Sequence, residues 1–114
     1  MLSLDTIRLS EKQKNQLIAL KKKTGIDNWN ILCRWALCKS LSDSTSPPEE
    51  NILSNSNVEL SWKVFGGEFE GVYRAILIQK FKDSNSTSIN KFLLSHLSRG
   101  INLMQNEIKS SLNH

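Results

Sequence analysis

The sequence predicts a mainly α-helical fold, a compact helical domain of about four helices with one or two short strands. Apolar residues recur at helical spacing over most of the chain, and residues typical of helix caps stand where these patterns begin and end. Alternation typical of strands is confined to two short stretches. With 114 residues the chain has the length of one domain and can bury one core, so residues 1–114 are predicted to form a single domain.

The two short strands are predicted from alternating residues. Residues 2–9 are expected to form a strand or an extended arm, with Ile7 and Leu9 on one face. A second, half-buried strand is expected where apolar residues alternate with polar ones, at Val58, Leu60, Trp62 and Val64. Residues 42–57 are rich in Ser, Pro and Asn and are predicted to form a polar loop.

The first two helices are predicted to form a helical hairpin with a very short link. Ser10 and Gln13 have the spacing of a capping box, and Gly25 stands where a helix ends in a left-handed residue. Asp27 is expected to cap the next helix. The apolar stripe of that helix comprises Trp29, Leu32, Cys33, Ala36, Leu37, Ser40 and Leu41.

Two further helices are predicted over residues 69–81 and 88–109. The first is expected to turn Val72, Tyr73, Ile76, Leu77 and Phe81 inward. The second contains Gly100, which would allow another helix to approach closely. These helices complete the predicted core.

Charge is unevenly distributed along the chain. The formal net charge is +4 and the pI is about 9.2. Residues 1–40 carry eight Lys or Arg and three acids, residues 41–74 two and six, and residues 75–114 five and two. The basic ends are compatible with a polyanionic partner, and ordinary surface charge is the alternative explanation.

The strongest basic feature is the run of three lysines at the end of the first predicted helix. Successive helical residues are about 100° apart, so at least two of the three must project into solvent. Lysine is a flexible point charge suited to phosphates, which makes a phosphate-bearing polyanion the candidate partner, although a solvated face chosen for solubility is the alternative. The candidate phosphate-binding residues are Lys21, Lys22, Lys23, Lys14, Lys12 and Arg8.

Six other residues are assigned structural or interface roles. Arg34 and Arg99 lie among apolar neighbours and are expected to pair with acids such as Glu59 or Glu68, with ligand contact as the alternative. His96 is expected to be a buried or interface histidine held by a hydrogen bond. Core packing is favoured over base stacking for the three tryptophans, Trp29, Trp35 and Trp62.

The sequence offers no recognisable catalytic centre. It has no P-loop, no nucleophile elbow and no cluster with metal-ligand spacing, so we expect no enzymatic activity, no metal and no cofactor. Cys33 and Cys38 lack CxxC spacing and are predicted to be buried, reduced thiols, which suits the cytoplasm. Neither a signal peptide nor a membrane-spanning run is recognisable, so a soluble protein without a membrane partner is expected.

Three segments resemble one known family in order and spacing. Residues 24–36 read TGIDNWNILCRWA and resemble the TGI-x-NWN-x-LCRWA block of the DNA sulfur modification protein DndE family. Residues 59–68, ELSWKVFGGE, resemble that family's E-x-(S/T)-W-K-x-F-G-G-E block, and residues 96–101, HLSRGI, its H-L-x-R-G-I block. Three separate blocks make the match specific.

The resemblance implies a small accessory subunit of the bacterial phosphorothioation system, which replaces a non-bridging phosphate oxygen of DNA with sulfur. Such a subunit is expected to be helical, with a proposed ribbon-helix-helix relationship, and to form a homo-oligomer, specifically a tetramer. It is expected to bind duplex DNA with a preference for nicks. The family's motifs name no catalytic residue, and the candidate lysines lie mainly outside the blocks.

Two functional hypotheses follow. The first is an accessory subunit that binds duplex or nicked DNA through the lysine-rich surface. The second is an adaptor that assembles the other subunits of the modification complex without touching DNA. The second is motivated by the acidic stretch, whose members are Asp43, Glu49, Glu50, Glu68 and Glu70.

Overall fold

A computed structural model describes residues 6–48, 52–53 and 55–112, with side chains up to residue 109. Residues 2–5 of the first predicted strand, and Glu49 and Glu50 of the acidic stretch, lie outside the described residues. The elements in chain order are β1 (Thr6–Arg8), α1 (Glu11–Thr24), α2 (Trp29–Leu41), β2 (Glu59–Ser61), α3 (Trp62–Gly66), a 3₁₀ turn (Gly67–Phe69), α4 (Glu70–Lys82) and α5 (Ile89–Leu112). The predicted fold class is confirmed: helices dominate and the two strands form one small sheet.

The sheet is a two-stranded antiparallel ribbon within the described chain. Ile7 of β1 lies opposite Leu60 of β2, and both side chains are buried. The flanking positions of each strand are exposed, as the period of two requires. A ribbon-helix-helix relationship implies a strand followed by two helices, and this order is present. Strand β1 pairs with β2 of the same chain.

The second strand is shorter than predicted because Ser61 starts a helix. Its hydroxyl accepts a hydrogen bond from the backbone N–H of Val64 at 3.1 Å, which is the geometry of an N-cap. Trp62 and Val64 therefore lie on α3, and the prediction that they belong to a strand is wrong. The one-turn helix α3 places Trp62 and Phe65 in the core with their ring centroids 5.1 Å apart.

The helical hairpin of α1 and α2 is confirmed, with one change at its second cap. Both hydrogen bonds of the capping box between Ser10 and Gln13 form, each at 3.0 Å. Gly25 ends α1 with φ of 75°, in the left-handed region. The cap of α2 is Asn28 rather than Asp27, because the Asn28 side chain accepts from the backbone N–H of Asn30 at 2.8 Å.

The core forms where α2 packs along α5. At Gly100 the backbone of α5 approaches the backbone of α2 at Ala36 closely, as the glycine predicted. Leu77 of α4 is buried against this core, whereas Val72 and Ile76 are exposed. The prediction that Val72 and Ile76 face inward is therefore wrong, because α4 buries a narrower stripe than its sequence suggests.

Candidate nucleic-acid interface

The lysine run occupies the last turn of α1, immediately before the glycine that ends the helix. Lys22 and Lys23 are exposed, and neither forms an ion pair with any residue that the structure describes. Lys21 is half-buried, and its Nζ lies 4.1 Å from the centroid of the Trp29 ring, which is cation–π geometry. Two ammonium groups therefore stand in solvent at this helix end, and the third packs against the start of α2.

The other basic candidates differ in how free their charges are. Lys12 is exposed, and Lys14 Nζ donates to Asn57 Oδ1 at 2.8 Å without losing its charge. Arg8 forms an ion pair with Glu59 across the sheet and also donates to the carbonyl of Ser56 at 3.3 Å. Arg8 is therefore already neutralised by a neighbour, which makes it the weakest phosphate ligand of the predicted set.

Arg34 does not make the predicted ion pair. Within the described residues no carboxylate lies within 4.0 Å of its guanidinium, and Glu59 pairs with Arg8 instead. Arg34 Nε donates to the carbonyl of Asn30 at 3.4 Å, one turn earlier on α2. Its guanidinium also lies beside Gly67, where an added Cβ would come 3.7 Å from Nη1. The side chain thus spans the contact between α2 and the segment after α3.

The hydrogen bonds of Arg99 within the described residues go to neutral groups. Its Nε donates to Ser40 Oγ at 2.8 Å, and its Nη2 donates to the carbonyls of Ser40 and Thr45 at 2.7 and 2.8 Å. Nη1 donates to Thr45 Oγ1 at 3.0 Å. Among the described residues Arg99 forms no ion pair with an acid such as Glu59 or Glu68. Its hydrogen bonds join α5 to the end of α2 and the following loop.

His96 lies in the interior of the α2–α5 contact. It is 1% exposed, and its Nδ1 is 2.7 Å from Ser40 Oγ. The Phe92 ring meets it edge-on at a centroid distance of 4.6 Å. Burial, reinforced by the positive charges of Arg99 and Lys80, lowers the pKa of His96 to about 4. The imidazole is therefore neutral at pH 7.

The three tryptophans have three different environments. Trp62 is buried, and its Nε1 donates to the carbonyl of Glu70 at 3.1 Å. Trp29 is half-buried under Lys21. Trp35 is 52% exposed, so the prediction that it packs in the core is wrong.

Sequence reasoning missed the exposed surface to which Trp35 belongs. Helical spacing puts Trp35 on one stripe of α2 with Ile31 and Cys38. Burial and the nearby Cys38 raise the pKa of Tyr73, which places this α4 residue close to that stripe. Apolar residues therefore flank this contact on both helices. We call this surface the apolar face; its exposed large members are Ile31, Trp35, Phe69, Val72 and Ile76.

The two cysteines lie in different environments. Cys33 is buried, and burial raises the pKa of its thiol to about 12, so it stays protonated. Cys38 is exposed, contrary to the prediction that both thiols are buried. In the part of the chain that the structure describes, no three His, Cys, Asp or Glu residues are grouped in a way that could hold a metal ion. No helix there combines the length and apolar character needed to cross a bilayer.

Together these features describe a small, mainly α-helical protein with a lysine-bearing helix end and an exposed apolar surface. A family model for the DNA sulphur modification protein DndE matches residues 6–111. The chain therefore belongs to the DndE family, and the resemblance drawn from the three sequence blocks is confirmed.

Comparison with solved structures supports the fold. A crystal structure of DndE from Escherichia coli B7A, involved in DNA phosphorothioation modification, aligns with a TM-score of 0.75 and 24% identity, covering 91% of this chain and 98% of that one. A double glycine-to-lysine mutant of DndE aligns with a TM-score of 0.71 and 20% identity, covering 90% and 97%. No curated protein matches the sequence.

Proposed function

We propose that this chain is an accessory subunit of the DNA phosphorothioation machinery that binds the phosphate backbone of duplex or nicked DNA. It acts in the cytoplasm as a homo-oligomer and has no catalytic centre of its own. The observation that carries the proposal is the pair Lys22 and Lys23, two adjacent exposed ammonium groups without an acidic partner among the described residues. Such charges contribute affinity for a polyanion without selecting a base sequence.

Oligomerisation supplies what two lysines per chain lack. A single chain with two or three phosphate contacts binds weakly at physiological salt. Linking several copies makes later contacts intramolecular and raises the overall affinity without new contacts on each chain. The apolar face supports self-association, because exposed large apolar residues on neighbouring stripes are typical of protein interfaces.

The first prediction concerns salt-dependent DNA binding. Replacing Lys22 and Lys23 together by Gln is expected to weaken duplex binding by about tenfold or more at low salt. The slope of log K against log[salt] should become shallower by about 0.9 for each phosphate that a lysine no longer neutralises. Lys21 is kept because it packs on Trp29. Fluorescence anisotropy with intact and nicked duplexes of one sequence, over a range of NaCl concentrations, measures both quantities.

A charge-matched double variant provides the control. Lys82→Gln with Lys91→Gln removes the same net charge from two exposed lysines on other helices. Its affinity and slope are expected to stay close to those of the unmodified protein. Equal losses of affinity in the two doubles would show that only net charge matters, and an unchanged affinity in the Lys22/Lys23 double would refute the proposed contact.

The second candidate function is an adaptor for other subunits, and the apolar face is the observation that favours it. The prediction that separates the two uses of this face is that Trp35→Ser with Ile76→Ser lowers the solution mass, measured by light scattering, towards that of one chain. Both residues are exposed, so the change removes no core packing. This outcome would support self-association through the apolar face rather than adaptor binding alone.

Leu53→Ser is the matched control, because Leu53 is a large, 71% exposed apolar residue outside the apolar face. It should leave the mass unchanged. If the unmodified chain is already monomeric and holds no DNA, but co-purifies with the modification complex only when Trp35 and Ile76 are intact, the adaptor function replaces the one proposed here.

A further inference from the structure

A second polar feature lies away from the lysine run, at the end of α4. The loop after α2, the C-terminal end of α4 and the first turns of α5 line a cavity of about 240 Å³ that opens to solvent. A water molecule occupies roughly 30 Å³ in the liquid, so the cavity has room for a larger group than one water. We call it the His96 cavity; the lining residues that matter here are Ser44, Ser46, Lys80, Asp83 and His96.

His96 lines this cavity and carries a buried polar atom without a partner among the described residues. The side chain is 1% exposed, and its Nε2 has no hydrogen-bond partner among the described residues. Buried polar atoms in folded proteins are nearly always paired, so an orphan on a cavity-lining residue indicates a ligand or ordered water. The neutral state of the ring follows from its lowered pKa.

The hydrogen bonds around Ser40 determine what His96 can offer. Arg99 Nε donates to Ser40 Oγ at 2.8 Å, so that oxygen acts there as an acceptor. Ser40 Oγ lies 2.7 Å from His96 Nδ1, and the direction of that hydrogen bond depends on the ring tautomer. In the tautomer with the ring proton on Nε2, Ser40 donates to Nδ1 and the orphan atom is a hydrogen-bond donor.

The two charges that lower the pKa of this imidazole, after burial, are both positive. They belong to Lys80, which lines the cavity, and to Arg99, which lies behind Ser40. Asp83 also lines the cavity and receives a hydrogen bond from Gln79 at 3.3 Å, so its carboxylate opposes an anionic ligand. Ser44 and Ser46 add hydroxyl groups to the lining. A buried N–H donor beside an ammonium group suits an oxyanion better than a cation.

We propose that the His96 cavity binds an oxyanion of the phosphate class, with His96 Nε2–H and Lys80 Nζ as its donors. The group is either free inorganic phosphate or the terminal phosphate of a nucleic acid strand, which share this chemistry. The site does not depend on DNA contact at Lys22 and Lys23, so either proposal can fail while the other stands.

The test uses the full chain, labelled with ¹⁵N, titrated with inorganic phosphate at constant ionic strength against chloride. The imidazole signals of His96 are expected to shift saturably with phosphate and not with chloride. Lys80→Gln should weaken binding by about tenfold, because it removes a charge-assisted hydrogen bond. Lys82→Gln, an exposed lysine two residues along α4, should leave it within about twofold, and Asp83→Asn should tighten it.

Further variants and ligands separate the other outcomes. His96→Asn keeps a polar group near the position of Nδ1, facing Ser40, and loses Nε2, so it should abolish saturable binding; if it fails to fold, the lysine and aspartate variants still decide. A short oligonucleotide with a 5′-phosphate, compared with its 5′-hydroxyl form, distinguishes a strand end from the free ion. Absence of any phosphate-specific shift, or equal weakening by Lys80→Gln and Lys82→Gln, would overturn the proposal and leave water as the occupant.

Discussion

Gly100→Ala is expected to destabilise the protein by about 3 kcal/mol or more, a large fraction of the roughly 5–15 kcal/mol by which folded domains are stable. A Cβ at this position would lie 1.8 Å from the carbonyl oxygen of Ala36 and 2.3 Å from its carbonyl carbon. These are backbone atoms in the middle of α2, so no side-chain rotation can relieve the overlap. The two helices would have to separate along the most extensive contact between two elements of the described fold.

Gly71→Ala is the matched control for this prediction. Gly71 lies in the first turn of α4, and an added Cβ there meets no atom within 4 Å. Because alanine favours helix more than glycine does, this change should be neutral or stabilising by roughly 0.5–1 kcal/mol. Urea unfolding followed by circular dichroism measures both variants. A loss of stability below about 1 kcal/mol for Gly100→Ala would contradict the close contact.

The same contact explains what the family's sequence blocks do. The first block ends at Ala36, and the third contains Gly100, so the two blocks meet where α2 crosses α5. The first and second blocks meet where Arg34 lies beside Gly67. The blocks therefore fix how the helices pack, whereas Lys22 and Lys23 lie outside them. This agrees with motifs that consist mainly of small, aromatic and hydrogen-bonding residues.

Features determined by local sequence were predictable. The capping box of Ser10 and Gln13 and the left-handed Gly25 each depend on a few neighbouring residues, and both are present. The start of α3 was missed although Ser61 carries the N-cap signal, because alternation over residues 58–64 outweighed a single serine. A short alternating run fits one helical turn as well as a strand.

Features determined by tertiary packing were not predictable from spacing. Ile76 has the periodicity of a buried residue and Trp35 is of a residue type that usually packs in the core, yet both are exposed. Neither periodicity nor residue type shows whether a given face is covered. The partner of Glu59 was also misassigned. The register of β1 against β2 brings Arg8 beside it, and nothing local to Arg34 or Glu59 specifies that register.

The second large effect is expected on acidification. The pKa of His96 falls from its usual 6.5 to about 4 in the folded protein, because the ring is buried and lies near Arg99 and Lys80. Between these two values the unfolded chain binds a proton that the folded chain does not. Stability is therefore complete above pH 6.5 and is lost progressively as the pH falls towards 4, by roughly 2 kcal/mol after allowance for solvent screening.

The groups around His96 come from three elements. The contribution of His96 to the pH dependence of stability is therefore measured as the difference between the unmodified protein and a variant that lacks this histidine. Lys80 lies on α4, Arg99 and Phe92 on α5, and Ser40 on α2, while Asp83 lines the same cavity. The pKa of Asp43 is lowered mainly by the hydrogen bonds that Asp43 accepts from Thr45, and to a smaller extent by Arg99. The stabilising effect of this carboxylate is lost only at still lower pH.

His96→Asn removes the titrating group and keeps a polar atom facing Ser40, so it provides the reference for the acid transition. The free energy of unfolding of the unmodified protein minus that of His96→Asn, measured in buffers free of phosphate, should fall between pH 6.5 and 4 and level off above pH 6.5. Phosphate-free buffers matter because a ligand bound at Nε2 would stabilise the folded state and alter the slope. A difference that stays flat across this interval would mean that His96 accepts its proton equally well in the folded and unfolded chains, which is incompatible with a neutral imidazole held between Ser40 and two cations.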